Sequence, residues 1–303
     1  MYPELLKLGP LTVHSYGLML GIAFIVASWL LNKEFKRRDM DINIATTVTL
    51  LAIVFGIAGS KLFHLAANPG DLKNDFFGAV FSPAGLTFHG GLLTAMLAIY
   101  IYLRKKGIPF LVVADSTAPG LAIAYGIGRI GCHLAGDGDY GIPTTLPWGT
   151  DYSNGVVKPS LMFQGSDIAA GYPNGIVPDN TPLHPTPVYE FLIMVLVFWL
   201  LWKIRKREMP DGLLFSYYLI LAGTERLLIE FIRLNPRLLL GLSEAQLIAL
   251  ALITAGSAGA YYYTKINNHK PRFVAPPELR YKEENSASDK TGSGKKKTAG
   301  GNR

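Results

Sequence analysis

The sequence predicts an all-α polytopic membrane protein of about seven transmembrane helices, with its N-terminus outside and its C-terminus in the cytoplasm. Three observations carry this. Half of the 303 residues are hydrophobic and only 17% are charged, against about 25% charged in an average soluble domain. The apolar residues gather into windows close to the roughly 20 residues needed to cross about 30 Å of hydrocarbon. The basic residues alternate between successive connections, as they do when cytoplasmic loops collect Lys and Arg. So much apolar surface excludes disorder for most of the chain. The single cysteine, Cys132, excludes an internal disulfide framework and a cysteine-based structural zinc site.

The windows are 13–32, 44–67, 86–103, 110–133, 188–202, 213–232 and 242–263. The first reads as a signal anchor, because no basic region precedes it and no small-residue cleavage site follows. The fifth is short if it starts after Pro187. Lys33, Lys36, Arg37 and Arg38 follow the first window, Arg104, Lys105 and Lys106 the third, and Lys203, Arg205, Lys206 and Arg207 the fifth. With ten more after Thr264, these segments hold 21 of the 29 basic residues. The alternate connections hold far fewer, Lys7, Lys73, Lys158 and Arg237 among them. An odd number of spans and this alternation give the same orientation.

Residues 1–264 therefore form a membrane domain that includes an external segment, 134–186, rich in Gly, Pro, Asp and Thr, with strand-like pieces such as 155–158. Its length of about 50 residues far exceeds the usual 4–6 residue connection, which marks it as functional or disordered. Residues 265–303 form a basic, disordered cytoplasmic tail that would lie near anionic headgroups. The positive-inside pattern accounts for the net charge of +7, so no nucleic-acid partner is expected. No internal repeat is visible.

Ionisable residues inside the spans are costly in a bilayer and point to function. Lys61 and His64 share a face of the second span, His89 opens the third ahead of Gly90 and Gly91, and Asp115 starts the fourth. Arg129 lies among Gly126, Gly128 and Gly131 near the fourth span's end. Tyr189 and Glu190 begin the fifth. Arg226, Glu230 and Arg233 are spaced four and three apart in the sixth, one helical stripe of plus, minus, plus. In the outward orientation all but Asp115 fall in the outer half. Cations at that boundary suit an anionic headgroup, bound by guanidinium groups and by close approach of glycine backbone. Blander readings stand beside this one. Arg226 and Glu230 could be an ion pair between helices, His89 a packing position, Lys61 and Arg233 snorkelling side chains, and Cys132 a small packing residue.

The ordered set of motifs resembles the prolipoprotein diacylglyceryl transferases of bacterial membranes, from His14-Ser15-Tyr16-Gly17 through the last span. The shared landmarks are Phe88-His89-Gly90-Gly91-Leu92, Asp115 with Ala118-Pro119, and Gly128-Arg129-Ile130-Gly131. They continue through His184-Pro185-Thr186-Pro187-Val188-Tyr189-Glu190 to Arg226-Leu227-Leu228-Ile229-Glu230-Phe231. The chain departs from the family pattern at Cys132, His133 and 135–137, at Pro187, and at Ala222.

The resemblance implies a bacterial inner-membrane enzyme that moves diacylglyceryl from phosphatidylglycerol to the lipobox cysteine of a preprolipoprotein signal peptide, releasing glycerol phosphate on the outer side. It implies His89, Arg129 and Arg226 as catalytic residues, with His89 as general base. The headgroup contacts it implies are Tyr16, Gly90, Arg129, Gly141, Tyr189, Arg226 and Glu230. Glu230 would orient Arg226, and Gly141 would let the external segment close. No metal or cofactor is implied. Two other classes use the same features: a transporter or channel for an anionic solute, and a non-enzymatic scaffold.

Overall fold

The computed structural model describes residues 1–9, 11–70, 76–81, 87–266 and 272–282. The start of the third window at 86, Lys73 and most of the tail lie outside these residues. Seven long helices account for the windows: α1 (Ser15–Arg37), α2 (Ile42–Ala67), α3 (Phe88–Lys105), α4 (Phe110–Ala135), α5 (Thr186–Ile204), α6 (Leu213–Ile229) and α7 (Glu244–Tyr261). Five of them, α1, α2, α4, α5 and α7, are long and apolar enough to cross a membrane. The other two fall short for local reasons. α3 carries His89, Arg104 and Lys105 at its ends, and α6 has only 17 residues.

Several boundaries differ from expectation. α5 begins at Thr186, because Pro187 sits in the first turn, where its missing N–H would have no helical partner anyway. α6 stops at Ile229 and tightens into a 3-10 turn over Glu230–Ile232, after which Arg233 is extended. The predicted stripe through Arg233 is therefore broken. Antiparallel hairpins precede α1 (β1, Glu4–Leu8; β2, Leu11–His14) and α7 (β3, Arg237–Leu239; β4, Leu242–Ser243).

α4 is the most buried of the five apolar spans, and it packs against α1, α5 and α6. α7 lies on α6, and α3 packs almost wholly on α2. Small residues make the close crossings, as expected where no hydrophobic force drives helices together in lipid. A Cβ on Gly90 would stand 2.4 Å from Phe63 Cβ and 2.8 Å from the Gly59 carbonyl. One on Gly256 would stand 2.7 Å from the Ser216 carbonyl. The outward faces, with Leu18, Ile25 and Trp29 on α1 and Leu192, Leu196 and Trp199 on α5, are exposed and apolar. Gly90→Val should therefore force α2 and α3 apart and lower the thermal unfolding midpoint in detergent, by about 1–3 kcal/mol of overpacking. Gly21→Ala, which has open space at its Cβ, should not. An unchanged midpoint for Gly90→Val would contradict the crossing.

Residues 134–186 fold into a small unit with its own core of Tyr140, Tyr152, Phe163, Val177 and Leu183. The stretch 155–158 is a bend rather than a strand. Val156 and Val157 donate their N–H groups to the carbonyls of Ala135 and Gly136 at the end of α4, so their pairing goes to a helix terminus.

At the opposite end of the bundle, Asp115 accepts the N–H groups of Gly212 and Phe215, each at 2.8 Å. It thereby caps α6 from another helix, which accounts for the ionisable residue that stands apart in the sequence. Arg38 pairs with Asp115 at 3.6 Å and Asp211 at 3.0 Å. Part of the expected tail is ordered here: Phe273 N–H donates to Asp211, Ala275 is buried, and the Leu279 carbonyl accepts from Asp41 N–H. The basic character of 265–303 concealed this short apolar stretch.

Candidate active site

The end of α4, the start of α5, the 134–186 segment between them and the C-terminal end of α6 with the turn after it bring six charged side chains together. Glu190, fully buried on the second turn of α5, is their centre. Its Oε2 lies 2.5 Å from Arg129 Nε. Its Oε1 lies 3.0 Å from Arg226 Nη1 and 3.7 Å from Arg233 Nη1. Asp139, from the external segment, bridges Arg129 and Arg233 with its two oxygens. Glu230, fully buried, pairs with Arg226 Nη2 at 3.2 Å. Three guanidinium groups thus face three carboxylates.

Burial raises the Asp139 carboxyl, but Arg233 and then Arg129 outweigh it and hold it at about 2. Burial and the neighbouring Asp139 push Asp137 up. Exposure is uneven across the cluster. Arg233 is only 6% exposed, whereas Arg129 and Arg226 keep 17% and 21% of their side chains open. Arg129 also stands 4.8 Å from the centroid of the Tyr125 ring. The open side therefore presents these two arginines, which share one buried carboxylate, together with Asp139, whose side chain is 28% exposed. Such a face can hold a tetrahedral oxyanion by paired guanidinium donors.

The other expected residues take varied places. Tyr16, on the first turn of α1, lies against Gly131, where a Cβ would come 3.3 Å from its ring. Tyr189 accepts a 2.7 Å hydrogen bond from Trp148 Nε1 and has His184 Nδ1 at 3.3 Å. Gly141 is already closed upon the helices: its N–H donates to the His184 carbonyl, and a Cβ would stand 2.6 Å from the Ile232 carbonyl. Gly90 is taken up by the α2–α3 crossing. His89 is exposed on the first turn of α3, edge-on to Phe88 at 5.7 Å, and is not joined to the arginine cluster.

The sequence places Glu190 and Arg233 in the outer charged group, though it shows neither Glu190 as the hub nor Arg233 as the partner of Asp139, and snorkelling is the other reading of Arg233. It does not single out Asp139, one acid among several in a long segment. Cys132 is buried, and its Sγ lies within 4.8 Å of ligand oxygens on Asp137 and Asp139. Both oxygens of Asp139 are already bound by guanidinium groups, which argues against that trio as a cation site.

A family model described as prolipoprotein diacylglyceryl transferase matches residues 3–262. The phosphatidylglycerol–prolipoprotein diacylglyceryl transferase of Clostridium tetani is 34% identical over 265 residues, covering 84% of this chain and 95% of that relative. The protein of the same name from Fusobacterium nucleatum is 29% identical over 294 residues, covering 89% of this chain and 99% of the relative. That from Bifidobacterium adolescentis is 30% identical over 244 residues, covering 76% and 68%.

Proposed function

This chain belongs to the prolipoprotein diacylglyceryl transferase family, and we propose that it works at the charged cluster between α4, α5 and α6. Its reaction moves diacylglyceryl from phosphatidylglycerol to a prolipoprotein; solute transport, which would use the same intramembrane charges, is not favoured. The acceptor in this reading is the lipobox cysteine thiol of a signal peptide. The sulfur forms a thioether bond to the glyceryl carbon, the carbon–oxygen bond to phosphate breaks, and glycerol phosphate leaves with that electron pair.

One observation carries the site assignment: Arg129 and Arg226 are the partly open cations of the cluster, and Glu190 fixes both. Charge developing on the leaving phosphate then meets donors that need no reorganisation, the main source of electrostatic catalysis. In this reading Tyr16, packed against the turn of α4 that follows Arg129, and Tyr189, next to Glu190 in the chain, are the headgroup contacts, and Glu230 orients Arg226. Gly90 and Gly141 contribute through close packing of the elements that frame the site.

The thiol has an ordinary pKa near 8.5 and needs a base at neutral pH, the role proposed for His89. His89→Asn should cut transfer by about 100-fold near pH 7 and regain much of it at pH 9, where the thiol ionises unaided. Full activity across neutral pH would remove His89 from the role.

The membrane context belongs to the same proposal. α3 and α6 join the five more apolar helices as spans, the N-terminus lies outside, and the cluster faces the outer side of a bacterial inner membrane. The alternation of basic residues supports this orientation. Incubating the chain with phosphatidylglycerol and a synthetic lipobox peptide tests the reading. The peptide should gain one diacylglyceryl mass, and a cysteine-to-serine peptide should gain none. An unmodified cysteine peptide, beside an active relative in the same assay, would count against it.

A further inference from the structure

Glu230 is held from two sides. Oε2 faces Arg226, while Oε1 accepts hydrogen bonds from Asn235 Nδ2 at 2.6 Å and from Ser243 Oγ at 2.7 Å. Ser243 is also the N-cap of α7. Its hydroxyl accepts the Gln246 N–H at 3.2 Å, and Gln246 Oε1 accepts the Ser243 N–H at 3.0 Å, a complete capping box. Gln246 Oε1 further accepts from Arg237 Nη1 on β3 at 2.6 Å. Ser243, Gln246 and Glu230 are all buried.

Capping alone does not account for this arrangement. An N-cap needs only an acceptor for the helix N–H, whereas the Ser243 hydroxyl spends its single proton on a carboxylate thirteen residues earlier. That carboxylate is the partner of Arg226. A continuous chain of polar contacts thus runs from β3 through the start of α7 to Glu230, Arg226, Glu190 and Arg129.

We propose that Ser243 is a positioning residue of the transfer site: through Glu230 it sets the angle at which Arg226 receives the lipid phosphate. The proposal rests on the transferase reading above. It makes the start of α7 part of the active site without contact with any reacting atom. Hydrogen bonds to charged groups in buried networks are among the stronger ones, and losing this one leaves Glu230 Oε1 held by Asn235 alone, so the carboxylate is set less firmly against Arg226.

Ser243→Gly and Ser243→Thr, made in the full chain, separate positioning from capping. Glycine caps a helix nearly as well as serine but has no hydroxyl, and threonine supplies both. With phosphatidylglycerol and a lipobox peptide as substrates, Ser243→Gly should raise the KM for the lipid roughly 10-fold, leaving the KM for the peptide unchanged. Ser243→Thr should restore the lipid KM, and both variants should remain fully folded at the assay temperature, the glycine variant with a somewhat lower unfolding midpoint. An unchanged lipid KM in the glycine variant, or a loss that only follows its folded fraction, would overturn the proposal. Should that variant fail to fold, Asn235→Ala removes the other donor to the same oxygen and leaves the cap intact. It must then raise the lipid KM alone, or the proposal falls. A wild-type chain without transfer would instead sink the reading on which this rests.

Discussion

Glu190→Ala is expected to abolish measurable transfer and to destabilise the protein by about 3–5 kcal/mol, the cost of removing one partner from a buried ion network. Glu190 has no exposed surface and lies within 4 Å of Arg129, Arg226 and Arg233. Without it, three guanidinium groups keep their positive charge in a poorly hydrated setting, with only Asp139 and Glu230 to balance them. Their mutual repulsion would displace the two open arginines and loosen the meeting of α4, α5 and α6. Two measurements check this together: the thermal unfolding midpoint in detergent, and transfer per folded molecule. A Glu190→Ala protein with wild-type midpoint and more than a tenth of wild-type transfer would show that the hub is dispensable.

That hub marks the limit of what the sequence could say. The seven long helices of the described residues were legible as apolar windows, and the five long and apolar enough to cross a membrane were the clearest, because such a stretch can satisfy its backbone in lipid only by coiling into a helix. Arg129 and Arg226 were legible as well, through their shared depth. Glu190 stood in view in the segment that opens α5, but no periodicity relates residue 190 to residues 129 and 233, which meet it only in three dimensions. Asp139 was hidden for a different reason: which acid of an irregular segment turns inward depends on a fold that has no repeat to read. The helical spacing of Arg226, Glu230 and Arg233 predicted the right neighbours by a wrong geometry, since α6 ends before Arg233 and the extended backbone carries that side chain back to Asp139. For Gly90 and Gly141, glycine announced a close approach, and the sequence could not say that the approaching group would be another helix or a carbonyl.

Arg129→Ala separates catalysis from folding in a way Glu190→Ala cannot. Removing Arg129 leaves Asp139 paired with Arg233 and leaves Glu190 paired with Arg226, so each carboxylate keeps a counter-ion. The stability loss should therefore be much smaller than for Glu190→Ala. Transfer should nevertheless fall by about 100- to 1000-fold, the usual cost of deleting a preorganised donor to developing negative charge. Arg129→Lys should recover little, because one ammonium cannot match the planar fork that reaches Glu190 and Asp139 together. The decisive comparison is between the two alanine variants, with midpoint and transfer measured side by side. A large activity loss at nearly normal stability for Arg129→Ala, against losses of both for Glu190→Ala, assigns the guanidinium to the lipid phosphate and the carboxylate to holding it. Near-normal transfer by Arg129→Ala would remove that arginine from the reaction, and Arg226 alone would have to carry the leaving group's charge.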